Sequence, residues 1–162
     1  MKYHIRSRLN GWHVYDEQEE LLGAIHTRFL GKFVLISERS MINFQLKRTG
    51  DELTLLQENQ VIAKGKLWYP SVGTPALPSS IRPPMPVKLT MQLDQAHWEF
   101  EQNEHREICI LRNKKLIGYL QRMLALDKVM ELCDDPIPVT SCLLCFYLGL
   151  YMVKDNLLDT MV

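Results

Sequence analysis

Cys142 and Cys145 have the spacing best suited to chemistry: "CLLC" has the interval of a redox couple or of half a zinc knuckle. A zinc site needs a second pair of Cys or His ligands at a fitting distance, and none follows. The surrounding residues are Leu, Phe and Tyr, so both thiols read as small apolar groups in a buried segment. The histidines His4, His13, His26, His97 and His105 are scattered without metal-ligand spacing. "HREIC" sets His105 four residues before Cys109, which on a strand gives one shared face but too wide a gap for a nucleophile and its base. Glycine-rich phosphate loops and a GxSxG elbow are absent. The expectation is a protein with no catalytic residues, no metal and no cofactor, and so not an enzyme.

Charge narrows the partners. The 162 residues carry 19 basic and 19 acidic side chains, with a pI near 7.0, so no global field drives nonspecific binding to nucleic acid or to anionic membranes. Any such binding must come from a local patch, and no nucleic-acid partner is expected. The N-terminal "MKYHIRSRLNGW" has charges where a secretory signal needs an apolar run. Four cysteines without a signal point to free thiols in the reducing cytoplasm. The length suits one domain with a substantial core.

The elements that must position any site are strands. Apolar and polar residues alternate with a period of two, broken by turn residues every eight to twelve positions, as in a sandwich or barrel. The pattern predicts twelve strands at about 2–9, 12–16, 20–28, 32–38, 41–48, 52–57, 60–69, 87–93, 97–102, 106–112, 115–122 and 124–133. Polar turns separate them, among them Asn10-Gly11, Thr49 to Asp51, Glu58-Asn59 and Arg112 to Lys115. Three hairpins look alike: "VYDEQEELLGAI", "LLQENQVIAKGKL" and "ILRNKKLIGYL". In each, a polar turn and two apolar residues are followed by a small residue, Gly23, Ala63 or Gly118, where a curved sheet can bend. Short hairpins can also converge on such a pattern by composition alone.

Residues 70–86 hold six of the eight prolines, so this stretch cannot be an interior strand. It reads as a long surface crossover within one domain spanning 1–162. The apolar block "PIPVTSCLLCFYLGLYMVKDN" at 136–156 is the only one of its kind. From Ile137 to Val153 it is short for a bilayer span, holds Thr140, Ser141 and Gly149, and has no flanking basic cluster. Asp135 before Pro136 suits a helix start, and a stop is expected near Asn156. A helix of about 137–153, apolar on all sides, must be buried on all sides, and the interior of a closed barrel is where that is possible.

With about twelve amphipathic strands followed by an apolar C-terminal helix, the chain resembles the tubby C-terminal domain and its relatives. These relatives are the LURP-one-related proteins, the phospholipid scramblases and small bacterial homologues. The likeness covers nearly the whole chain in strand count and order. "WHVYDEQEELLGAIHTRFLGKFVLIS", residues 12–37, is similar to the family's early hairpin with its "LLxG"-like strand, and 136–156 to its terminal helix. The resemblance implies a closed antiparallel barrel with the helix threaded through its centre. It also implies a non-catalytic binding module, with anionic phospholipid or phosphoinositide, or a protein, as partner.

In the tubby branch, basic residues after the "LLxG"-like strand bind phosphorylated inositol lipids, which here implies His26, Arg28 and Lys32. On an extended strand His26 and Arg28 share a face and could reach one headgroup. The family's basic run is thinned in this chain by Ile25, Thr27, Phe29 and Leu30. Arg28 and Lys32 also read as ordinary solvated charges at a strand end. The expected location is the cytoplasm, with peripheral contact at the inner membrane face. Two alternatives stand beside this: a scramblase-like protein whose terminal helix spans the bilayer, and a barrel that binds a small apolar ligand or a protein without lipid affinity.

Overall fold

Twelve strands form where the alternation of apolar and polar residues predicts them. They are β1 (Lys2–Arg8), β2 (Gly11–Tyr15), β3 (Leu21–Thr27), β4 (Lys32–Ser37), β5 (Ser40–Thr49) and β6 (Glu52–Gln57), then β7 (Gln60–Trp68), β8 (Lys88–Leu93), β9 (Ala96–Gln102), β10 (Ile108–Arg112), β11 (Lys115–Gln121) and β12 (Asp127–Leu132). The computed structural model describes residues 1–70, 86–133 and 137–158, the last five as backbone only. Each strand pairs antiparallel with its neighbours in sequence, and β12 pairs with β1, from Lys2 opposite Glu131 to Arg6 opposite Asp127, closing a barrel. Closure removes the sheet edges that would otherwise invite aggregation. Most of the expected crossover, residues 71–85, lies outside the described residues, as does the expected helix start at Asp134 to Pro136.

Two strands start later than the alternation implies, for reasons that side chains supply. Asn103 accepts hydrogen bonds at Oδ1 from the backbone of His105 and Glu107, both 2.9 Å, so 103–107 is a turn and β10 begins at Ile108. His105 is therefore in that turn and not on a strand with Cys109. Arg122 has a positive φ of 57° and accepts the amide of Ala125 at 2.9 Å, which delays β12 to Asp127.

The three similar hairpins share a structural device. Pairing slips by one residue between Val14 and Tyr15 in β2–β3, between Leu55 and Leu56 in β6–β7, and between Ile110 and Leu111 in β10–β11. In each case the last in-register partner before the slip is the small residue: Gly23, Ala63 or Gly118. The slips recur every four strands around the barrel, so the added bend is shared out along the wall.

The interior is filled by the helix α1 (Val139–Leu158). It begins two residues later than expected and continues past residue 153. Pro138 disfavours the helical region for Ile137, and its carbonyl accepts the amide of Cys142 at 3.1 Å as the helix starts. The helix meets the wall on every side. Phe146 packs edge-on against Trp12 of β2 with ring centroids 5.6 Å apart, and Tyr147 stacks on Phe33 of β4 at 3.6 Å. Leu144, Cys145 and Leu148 face Met91, Trp98 and Phe100 across a void of only about 10 Å³. Gly149 faces β11 so closely that a Cβ there would stand 2.2 Å from Leu120 Cδ1. Among the described residues no helix is long and apolar enough to cross a membrane. The apolarity of this helix is used inside the barrel, against the alternative in which it spans a bilayer.

Among the described residues one buried side chain is charged. Lys128 shares the inward row of β12 with Met130 and Leu132, is 3% exposed, and lies 4.7 Å from the ring centre of Trp12. Its ammonium donates to the carbonyls of Met123, at 2.7 Å, and Ala125.

Phe146→Ala should lower the unfolding free energy by ~3–5 kcal/mol in urea denaturation, the usual cost of deleting a buried ring. Leu148→Asp should prevent soluble folding, because an unpaired buried charge costs several kcal/mol against a total of about 5–15. A soluble, cooperatively unfolding Leu148→Asp protein would contradict a helix-filled barrel.

Candidate functional site

The two ends of the barrel are built differently. At the end where the helix enters, several turns are two residues long with both φ values positive: Glu58–Asn59, Asp94–Gln95 and Asn113–Lys114. Such turns follow the twist of the strands and project little. The opposite end carries longer turns at β3–β4, β9–β10 and β11–β12, and loops of this kind are where binding residues usually sit.

The β3–β4 turn is the best braced of these. The Arg28 amide donates to the Lys32 carbonyl at 2.7 Å and the Lys32 amide to Phe29 at 3.1 Å. Leu30 and Gly31 both take positive φ, 57° and 71°. The neighbouring strand then locks the turn: the Leu46 amide donates to the Gly31 carbonyl at 2.9 Å, and Gln45 Nε2 to the Leu30 carbonyl at 3.0 Å. A Cβ at residue 31 would lie 2.2 Å from the Leu46 carbonyl oxygen, so only glycine fits. The outcome is a fixed platform that leaves Phe29 91% and Leu30 83% exposed.

The structure divides the three basic positions. Arg28 and Lys32 line one depression of about 250 Å³ on the outer wall, together with Val34, Asn43, Gln45 and Glu58. The Glu58 carboxylate there accepts from the Asn43 amide at 2.9 Å and from the Asn43 side chain at 3.2 Å. His26 does not line this depression. β3 ends at Thr27, so Arg28 belongs to the turn and does not share a strand face with His26. His26 is half-buried, and nearby the His13 imidazole is held below its ordinary range by burial first and then by repulsion from Arg8 and His26. Arg8 Nη2 donates to Tyr15 Oη at 3.0 Å, and His13 Nδ1 lies 3.5 Å from the same oxygen.

Sequence reasoning treated Phe29 and Leu30 as gaps in a basic run. Their signal was legible: two large apolar residues followed by glycine stand where a turn between two strands is ordinarily polar.

Elsewhere the groups capable of chemistry are otherwise engaged. A cleft of about 670 Å³ lies where the helix enters and includes Tyr3, Asp16, Glu17 and Cys133. Asp16 Oδ1 accepts the amides of Gln18 and Glu20, and Glu17 accepts the amide of Lys2, so both carboxylates are turn fasteners. All four cysteines are free thiols, with Cys142 and Cys145 buried, Cys109 half-buried and Cys133 exposed just beyond β12. Burial pushes the Cys142 thiol up to about 11 and the Cys145 thiol up as well, so neither ionises readily. Among the described residues no three His, Cys, Asp or Glu side chains converge to hold a metal ion.

The depressed His13 has a stability consequence. Below the unfolded value of about 6.5 the unfolded chain binds this proton more readily than the fold does, so stability falls as pH drops through that range. Between pH 7.5 and 5.5 the wild type should lose stability in urea titrations, and His13→Gln should lose less; an unchanged slope would remove the assignment. Compared with known families, curated proteins and solved structures, the chain matches none.

Proposed function

We propose that the protein is a non-catalytic binding module that associates peripherally with anionic phospholipid, phosphoinositide included, at the cytoplasmic face of a membrane. The carrying observation is the β3–β4 turn, in which two bare apolar side chains, Phe29 and Leu30, stand between Arg28 and Lys32 on a hydrogen-bonded platform. The resemblance to the tubby-like proteins, which assigns basic residues after the "LLxG"-like strand to lipid headgroups, supports the same turn.

Magnitudes say which part of the turn dominates. Each cation near an anionic surface contributes ~1 kcal/mol, so Arg28 and Lys32 together hold the protein weakly. Removing Phe and Leu side chains from water contributes about 1.5–3 kcal/mol each. Apolar insertion therefore carries most of the affinity, while the cations select anionic lipid and set the salt dependence. His26, half-buried on the wall, does not line the depression shared by Arg28 and Lys32.

Co-sedimentation with vesicles tests this. Binding is expected to phosphatidylcholine vesicles containing phosphatidylserine or a phosphoinositide, and much less to phosphatidylcholine alone. Arg28→Glu/Lys32→Glu and Phe29→Ser/Leu30→Ser should each weaken it by about tenfold or more. Wild-type protein that ignores all three vesicles, or variants that bind as well as wild type, would defeat the proposal. A preference for phosphoinositide over phosphatidylserine at equal charge would add headgroup recognition to surface attraction.

A further inference from the structure

We infer that contact with the bilayer is made by an arc of three adjacent turns at one end of the barrel, of which the β3–β4 turn is one; this rests on the lipid-binding reading above. Among the described residues the five most exposed large apolar side chains are Leu9 (100%), Phe29 (91%), Leu30 (83%), Leu126 (80%) and Leu124 (70%). They lie in the β1–β2, β3–β4 and β11–β12 turns. Strand direction alternates around the barrel, so all three turns emerge at the end opposite the point where the helix enters. Because β12 closes on β1, the three turns are also consecutive around the rim.

Hydrogen bonds join the turns into one surface. The Ser7 amide donates to the Leu126 carbonyl at 3.3 Å, and the Thr27 amide to the Asn10 carbonyl at 3.0 Å. Lys128 shapes the β11–β12 turn from beneath: its ammonium holds the carbonyls of Met123 and Ala125 while Met123 is buried at the barrel mouth. With Met123 drawn inward, Leu124 and Leu126 stand clear of the wall. Scattered exposed apolar side chains are ordinary on a protein surface, but five on one laced rim are not.

Charge supplies the identity of the occupant. Arg8, Arg28, Lys32 and Arg122 are exposed in or beside these turns. The one acid there, Asp127, faces Arg6 at 4.0 Å. The turns at the other end carry Asp16, Glu17, Glu19, Glu20, Glu38, Glu58 and Asp94 against Arg39 and Lys114, while Asp51, Glu104 and Glu107 lie in turns outside the arc at its own end. The arc is thus a cationic apolar sector facing away from a largely acidic opposite end, which orients it toward an anionic bilayer. A second copy of the chain is a poor occupant, because a twofold contact would set like cations against each other.

The test is Leu9→Ser/Leu124→Ser/Leu126→Ser, which leaves the β3–β4 turn intact, against a control at the other end, Leu21→Ser/Met41→Ser. Circular dichroism and thermal melts establish that both fold. With phosphatidylcholine/phosphatidylserine vesicles the triple variant should bind about tenfold or more weakly than wild type, and the control should bind as wild type does. A triple variant that binds normally while Phe29→Ser/Leu30→Ser does not would overturn the arc and leave the single turn standing. Wild-type protein that binds no vesicle would overturn both. A wild-type dimer that the triple variant dissolves, without vesicle binding, would assign the rim to self-association instead.

Discussion

A twelve-stranded barrel encloses more space than its own inward side chains can fill. Eight strands leave an interior just wide enough for side chains, and each added strand widens it. Here the surplus is taken up by α1, and the rest of the fold depends on that fit. Aromatic contacts with Trp12 and Phe33, the close approach of Gly149 to Leu120, and a residual void of about 10 Å³ show how little slack remains. Among the described residues the helix occupies the interior, and the void beside Leu144, Cys145 and Leu148 is only about 10 Å³. Interaction is left to the outer wall and to the turns.

The strands were legible because a wall with one wet and one dry face forces a period of two on the sequence. The helix was legible for the complementary reason, that an element buried on all sides needs no polar stripe. What alternation cannot convey is the point at which a side chain diverts the backbone. Asn103 and Arg122 do this before β10 and β12, and neither changes the apolar pattern. Pro138 moves the helix start by restricting Ile137, a local rule that was readable but was outweighed by the apolar block around it. Lys128 follows the inward parity of Met130 and Leu132, yet a lysine on that row ordinarily signals an outward residue.

The candidate site was legible in part. Arg28 and Lys32 are brought to one depression, but His26 is separated from them because β3 stops at Thr27. That stop is set by Leu46 and Gln45 of β5 gripping the turn, which is a tertiary constraint with no trace in the spacing of the basic residues. The apolar rim needs still more of the structure. Leu9 and Leu124 are more than a hundred residues apart in sequence and share a surface only because β12 pairs with β1.

Pairing between consecutive strands has a temporal side as well. Eleven of the twelve ladders join neighbours in sequence and can zip as the chain lengthens, while the twelfth must join the first strand to the last. Even then the wall surrounds nothing, since the segment that fills it comes after every strand. A chain synthesised only through Leu132 therefore displays an unfilled apolar lining, and the wall acquires its filling when the helix segment after it follows.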